Sequence, residues 1–205
     1  ISLIYNGFDY NKKELTLDRK FSITHIGSLL PERNPEILWR VLGDISSQNN
    51  NIKEDLQINF IGNVDNNIRD LICLNNLENN TIQHNYIDYK ETIPYLTQSQ
   101  ILLLVEADDN ESSYVIPAKI FEYINSGRPI IAIGPEGSEI KEIINTTKAG
   151  KYFLYGQYDD LFKYIESCYN SYKKGDLNVQ SLNIDQYHRR NLAKELADII
   201  LKKAD

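Results

Sequence analysis

The chain alternates short apolar runs with longer stretches in which apolar residues recur every three or four positions. The short runs predict strands at Phe21–Ile26, Gln57–Ile61, Thr81–His84, Ile101–Val105, Pro129–Ile133 and Lys151–Leu154. Most carry apolar residues at both parities, as strands covered by helices on both faces require. Ile37, Leu38, Val41, Leu42 and Ile45 fall on one face of a first helix, and further helices are predicted at Asn66–Leu74, Tyr89–Leu96, Pro117–Asn125 and Ser138–Ile144. The run Asn49-Asn50-Asn51 reads as loop filler. Beyond the last strand the pattern becomes purely helical, with helices at Tyr158–Tyr172 and Ile184–Lys203 joined by a polar stretch around Lys173-Lys174-Gly175-Asp176. The final helix is amphipathic through Leu192, Leu196, Ile199 and Ile200.

Strand–helix alternation of this kind is built from βαβ units. The expected fold class is therefore α/β, a Rossmann-like, doubly wound parallel sheet of about six strands with C-terminal helices. The sheet domain is expected over 21–157, preceded by residues 1–20 and followed by helices at 158–205 packing on that same domain.

Composition narrows the classes of function. Of 205 residues, 41% are hydrophobic and 25% charged, which suits a globular chain rather than a disordered one. A formal charge of -7 without a Lys/Arg cluster argues against a nucleic-acid partner. Cys73 and Cys168 lie far apart with no Cys-x-x-Cys spacing, so neither a zinc site nor a disulfide framework is expected, and two thiols fit a reducing compartment. The longest apolar run, near Ile101–Val105, is far too short to span a bilayer, and no signal peptide is visible. The chain starts at Ile1 and contains no Met, so we expect it to be a piece of a longer protein.

An open parallel sheet takes ligands at the carboxyl ends of its strands, which brings three loops forward: Gly27–Asn34, Tyr86–Tyr89 and Glu106–Pro117. In the first, Gly27 permits close backbone approach and Arg33 can hold phosphate oxygens bidentately. The alternative is a plain turn with Asn34 capping a helix, Pro35 at its first position and Arg33 solvated. Neither Gly-x-Gly-x-x-Gly nor Gly-x4-Gly-Lys-[Ser/Thr] is present. The third loop is long and acidic and feeds a helix on which Lys119, Glu122 and Ser126 share a face while Ile120, Phe121 and Ile124 turn to the core. Lys119 and Glu122 read equally as an exposed ion pair or as a carboxylate for sugar hydroxyls beside a helix start aimed at phosphate. Gly127, Arg128, Pro129, Gly134 and Pro135 read as structural punctuation. His25, His84 and His188 have no metal-ligand spacing and suit packing or solvent roles. Asp108, Asp109 and Glu111 suit a solvated loop, and no metal site is expected. No Gly-x-Ser-x-Gly elbow is present, and the fourteen tyrosines are scattered.

The order of motifs resembles the C-terminal domain of GT-B glycosyltransferases, in the large family 4 (group 1) of retaining enzymes. Ile4-Tyr5-Asn6-Gly7-Phe8-Asp9 is similar to the segment by which that domain is entered from the N-terminal one. Phe21 through Pro35 is similar to the family's first strand and its Gly…Arg-Asn-Pro loop. Ile82–Leu104 resembles the following stretch, with Asn85 where glycine is usual. Ile116–Tyr123 with Ser126-Gly127-Arg128-Pro129-Ile130 matches Pro-[Ala/Ser]-Lys-[Leu/Ile/Val]-[Phe/Tyr]-Glu-Tyr-x3-Gly-[Lys/Arg]-Pro almost letter for letter.

The resemblance implies one half of a GT-B fold, the donor-binding half of a retaining glycosyltransferase that moves a sugar from a nucleotide diphosphate sugar to a surface polysaccharide or related glycan acceptor. By the same resemblance Glu122 binds the ribose hydroxyls, Arg33 neutralises the diphosphate, Lys119 assists it, and the backbone at Val115–Ala118 faces the phosphates. Tyr86 and Ile87 lie where the nucleobase is contacted, and Gly27, Ser28, Val115 and Ile116 line the donor site. Tyr114 stands where the family has the first glutamate of its Glu-x7-Glu motif, facing the transferred sugar, and Ser28 stands where many members have arginine. No cofactor is expected beyond the nucleotide sugar as co-substrate. The implied partners are an N-terminal domain upstream of Ile1, without which the fragment is expected to be inactive, and a glycan or lipid-linked acceptor. The implied location is cytoplasmic, or peripheral at the inner face of a membrane through that N-terminal half. The alternatives are a GT-B nucleotide-sugar epimerase and a non-catalytic nucleotide-sugar-binding or scaffolding domain.

Overall fold

In the computed structural model, residues 3–9, 16–108 and 115–202 are described. Six parallel strands form one sheet: β1 (Phe21–Ile26), β2 (Leu56–Ile61), β3 (Thr81–His84), β4 (Ile101–Val105), β5 (Ile130–Gly134) and β6 (Gly150–Leu154). Their order is β3-β2-β1-β4-β5-β6. The order reverses between β1 and β4, which pair through Ile23↔Ile101 and Thr24↔Leu102. A ligand crevice opens at such a switch point. The helices are α1 (Glu36–Gln48), α2 (Asn50–Asp55), α3 (Asn66–Leu74), α4 (Tyr89–Gln98), α5 (Lys119–Ser126), α6 (Glu139–Thr147), α7 (Tyr158–Lys174) and α8 (Arg189–Lys202). The α/β, doubly wound architecture expected from the pattern is the one observed.

One face of the sheet carries Ile23, Ile58, Phe60, Leu103 and Ile131, packed in one buried cluster with Trp39 of α1, Ile68 of α3 and Leu161 of α7. The opposite face packs Leu102, Leu104, Ile130 and Ala132 against Phe121 of α5 and Ile140 of α6. The two faces are not alike along their length. On the second face β1 and β2 present Ser22, Thr24, Gln57 and Asn59, so the expectation of strands apolar on both faces holds for β4 and β5 only. The burial of these polar groups is offset by hydrogen bonds: Asn59 donates to Thr24 Oγ1 at 3.2 Å, and Ser99 Oγ donates to the same oxygen at 2.6 Å.

Three further differences have local causes. The asparagine run at 49–51 is a helix boundary, not filler, because the Asn49 side chain accepts the backbone N–H groups of Asn51 and Ile52 and so caps α2. The last predicted helix is broken at His188: a short 3-10 turn at Ile184–Tyr187 precedes α8. The entry segment docks at that break, with Phe8 N–H donating to the Tyr187 carbonyl and Arg189 N–H to the Phe8 carbonyl. Gly7 is required there, since any Cβ would overlap the Tyr187 carbonyl. Finally, Arg128 is more than punctuation. It is buried, and its guanidinium donates to the carbonyls of Ser99 at 2.7 Å, Gln100 at 3.0 Å and Leu177 at 2.7 Å.

No helix among the described residues is long and apolar enough to cross a membrane.

Candidate functional site

The β1–α1 loop is held tightly at the switch point. Gly27 N–H donates to the Ile61 carbonyl and Leu29 N–H to that of Asn63, both at 2.8 Å, while Asp65 N–H returns to the Leu29 carbonyl. Gly27 adopts φ +109° and Gly62 φ +132°, values open to glycine, and a Cβ on Gly62 would lie 2.9 Å from the Gly27 carbonyl. The two glycines let the ends of β1 and β2 come together under the crevice. Ser28 is exposed beside them.

A 3-10 turn at Pro31–Arg33 then carries Arg33 back over the strand ends. The plain-turn alternative does not describe this loop. The Asn34 side chain accepts from the Trp39 indole N–H at 3.0 Å instead of capping α1, Pro35 occupies the cap position, and Arg33 is half-buried. Arg33 Nε is buried and has no hydrogen-bond partner among the described residues.

Lys119 approaches from the other side. The exposed Lys119–Glu122 pair is absent; no ion pair joins these two residues. The Lys119 ammonium reaches across to the Ile26 carbonyl at 3.1 Å and lies 3.3 Å from the Cβ position at Gly27. Burial, and then the nearby Arg33 charge, lower its pKa from 10.5 to about 8. Beneath it His25, which suited a packing or solvent role, is 1% exposed at the end of β1. Its Nδ1 lies 3.0 Å from the Leu103 carbonyl, whereas Nε2 faces the Ser28 backbone without a well-formed hydrogen bond. Burial first, and then Lys119, push its pKa down to about 3, so the imidazole is neutral and adds no charge.

The adjoining helix starts two residues later than expected. Ile120 N–H and Phe121 N–H are taken by the carbonyls of Pro117 and Ala118, so they do not face the crevice. Tyr123 is buried, and its hydroxyl accepts the Ile26 N–H at 3.1 Å, fastening α5 to β1. Glu122 is half-buried and lies near the Tyr89 hydroxyl at the start of α4. Burial first, and then the Glu122 carboxylate, raise the Tyr89 pKa. Val115 and Tyr86 are exposed, while Ile87 and Ile116 are half-buried. Tyr114, with Asp109 and Glu111, lies outside the described residues. Thus Gly27, Arg33 and Lys119 are brought together, Glu122 stands on the next turn of α5 from Lys119, and Tyr86 and Ile87 sit at the end of β3.

A second buried group at the strand ends is absent from the motif-based set. Glu106, at the end of β4, is 5% exposed and accepts hydrogen bonds from Ser138 Oγ at 2.8 Å and Tyr152 Oη at 2.8 Å. Burial raises its pKa, against the opposing pull of those two hydroxyls and of Arg33.

No family model and no curated protein matches this sequence. Solved structures do resemble it. A point mutant of Staphylococcus aureus TarM, in complex with fondaparinux, α-GlcNAc-glycerol and UDP, aligns with a TM-score of 0.67 at 15% identity, covering 95% of this chain and 38% of that one. The lipopolysaccharide outer core galactosyltransferase WaaB aligns with a TM-score of 0.67 at 14% identity over 98% of this chain and 56% of its own. A putative UDP-N-acetylglucosamine 2-epimerase from Listeria monocytogenes aligns with a TM-score of 0.57 at 11% identity over 87% of this chain and 44% of its own. The chain therefore spans about half or less of each. Its fold is that of one half of a GT-B glycosyltransferase, a six-stranded parallel sheet with flanking helices.

Proposed function

We propose that the chain is the nucleotide-sugar-binding half of a retaining glycosyltransferase that transfers a sugar to a glycan acceptor. The observation that carries this reading is the convergence of Arg33 and Lys119 on Gly27, with buried nitrogen left unpartnered at Arg33. Buried donors without acceptors are costly, and a bound diphosphate would supply the acceptors. Negative charge grows on the leaving diphosphate as the glycosidic bond breaks, so two fixed cations at that place stabilise the transition state more than the ground state. Glu122 would accept both ribose hydroxyls. With Tyr114 in place of a glutamate, the transferred sugar is recognised by other means.

Calorimetric titration of this chain with UDP tests the reading, UDP being what the TarM structure contains. Binding with Kd between about 1 μM and 1 mM, lost in both Arg33→Ala and Glu122→Ala, is the expected result. Binding that survives in both variants overturns the assignment. The resemblance to the Listeria structure supports an epimerase as the second reading. Incubating the protein, extended upstream of Ile1, with nucleotide sugars separates the two: a transferase releases nucleoside diphosphate, an epimerase returns an intact nucleotide sugar of changed configuration. Intact donor of unchanged configuration would favour a binding or scaffolding domain.

A further inference from the structure

The polar half of the second sheet face is not filled by a helix. A groove of about 680 Å³ runs between α4 and the open edge of the sheet, lined by Gln57, Asn59, Ile82 and His84 from the strands, by Glu91, Pro94, Tyr95 and Gln98 from α4, and at one end by Ile87, the residue that the resemblance sets against the nucleobase. Its size falls within the ~300–1,000 Å³ of small-ligand clefts. It lies to the side of the crevice that holds Arg33 and Lys119, on the face that carries Asn59 and Ile82.

Its chemistry is specific in three respects. Its floor is preorganised: Gln57 donates to Asn59 Oδ1 at 2.9 Å, and Asn59 is itself held by Thr24, which receives Ser99. Ring and apolar surface stands beside it, with the His84 and Tyr95 rings 5.2 Å apart and Ile82 43% exposed. None of the lining residues is Lys or Arg, so an anion gains nothing there. The two carboxylates, Asp18 and Glu91, sit at opposite ends, one before the start of β1 and the other in the first turn of α4. Each is already engaged, Asp18 by the Ser22 hydroxyl and Glu91 by the Asp88 N–H. No group of three or more potential metal ligands occurs among the described residues.

We infer that this groove binds a neutral oligosaccharide. Asn59 is buried and engaged at both its oxygen and its nitrogen, so the half-buried Gln57 and Gln98 amides, each donor and acceptor, are the groups that match hydroxyl pairs, while the His84–Tyr95 wall and Ile82 suit the C–H faces of sugar rings. The inference does not rest on the donor reading; the two sites adjoin at Ile87, which is why the sugar is tested with UDP present.

The test is saturation-transfer NMR on this chain with maltotriose, cellotriose and N-acetylchitotriose as probes, followed by titration of any that binds. At least one should bind with a millimolar Kd and remain bound when UDP is saturating. Ile82→Arg places bulk and charge in the groove from an exposed strand-edge position. It should weaken that binding at least about tenfold while the circular dichroism spectrum and the UDP titration stay as they were. Gln57→Ala, which leaves the strand's apolar face intact, should weaken it in the same direction. The inference is overturned if none of the three binds at millimolar concentration, if both variants bind as the parent does, if UDP displaces the sugar, or if a lysine-rich peptide occupies the groove instead. UDP binding is scored separately, so failure here leaves the donor reading untouched, and the reverse.

Discussion

Two buried ionisable clusters face each other across the strand ends, and they are built in opposite ways. On the β4–β5–β6 side Glu106 is closed in by Ser138 and Tyr152, and the Tyr152 hydroxyl also lies 2.7 Å from the Pro135 carbonyl. A Cβ on Gly134 would come within 2.5 Å of the carboxylate. On the β1 side, among the described residues, the buried Arg33 Nε has no hydrogen-bond partner, and Lys119 donates to the Ile26 carbonyl. The difference teaches which cluster is finished. A buried carboxylate with its hydrogen bonds made supports the fold, whereas cations with donors to spare are arranged for an acceptor that the chain does not itself provide.

That contrast can be broken by experiment. The largest effect is expected at Glu106→Ala, which removes the acceptor of the Ser138 hydroxyl, leaves Tyr152 only the Pro135 carbonyl, and opens a void. Urea denaturation should show a loss of about 2–4 kcal/mol, with UDP affinity within about threefold of the parent. If UDP affinity collapses while stability holds, the two sides are one functional cluster. Arg33→Ala should do the opposite: UDP affinity falls by about 1.5–3 kcal/mol, the usual worth of charged hydrogen bonds, with the denaturation midpoint unchanged or slightly raised.

A smaller effect is expected from pH. With a pKa of about 8, Lys119 loses its charge as pH rises through that value, and a bound diphosphate would hold the proton on. UDP affinity should therefore fall several-fold between about pH 7 and pH 9.5, and calorimetry in buffers of different ionisation enthalpy near pH 8.5 should record proton uptake on binding. Lys119→Met should remove both; a slope that persists in it sinks the assignment. The smallest effect belongs to His25. Its folded pKa is depressed from 6.5 to about 3, so the stability it contributes is present above 6.5 and is lost as pH falls toward 3. Between about pH 7 and pH 5.5 that loss is about 1 kcal/mol, and His25→Phe should flatten it in urea titrations.

Much of the sheet is legible along the chain because β4 and β5 are short apolar runs and β1 and β2 alternate apolar with polar residues. Ile101–Val105 is read to the residue, and so is Phe21–Ile26. Boundaries slip where side chains decide them, as at Asn49, whose capping role depends on which N–H groups its oxygen meets. The break at His188 is invisible locally, because Phe8, far away in sequence, inserts its backbone there. Within the crevice, Arg33 and Lys119 can be picked out by motif, but their spacing of 86 residues says nothing of contact. Glu106 and His25 carry no motif at all: Glu106 is a polar residue just past an apolar strand, and His25 sits in β1 beside Thr24 with nothing to set it apart.

What the sequence determined by itself is the set of local preferences: six short strands, the glycines at 27 and 62, and the helices between them. These are short-range consequences of side-chain period and backbone freedom. The tertiary structure alone decided that Lys119 turns from its helix face to the Ile26 carbonyl, and that Glu106 is sealed while Arg33 is not. It also decided that β1 and β2 carry a polar face beside α4. Each of these depends on which strands become neighbours, and strand order arises from the packing of the whole sheet.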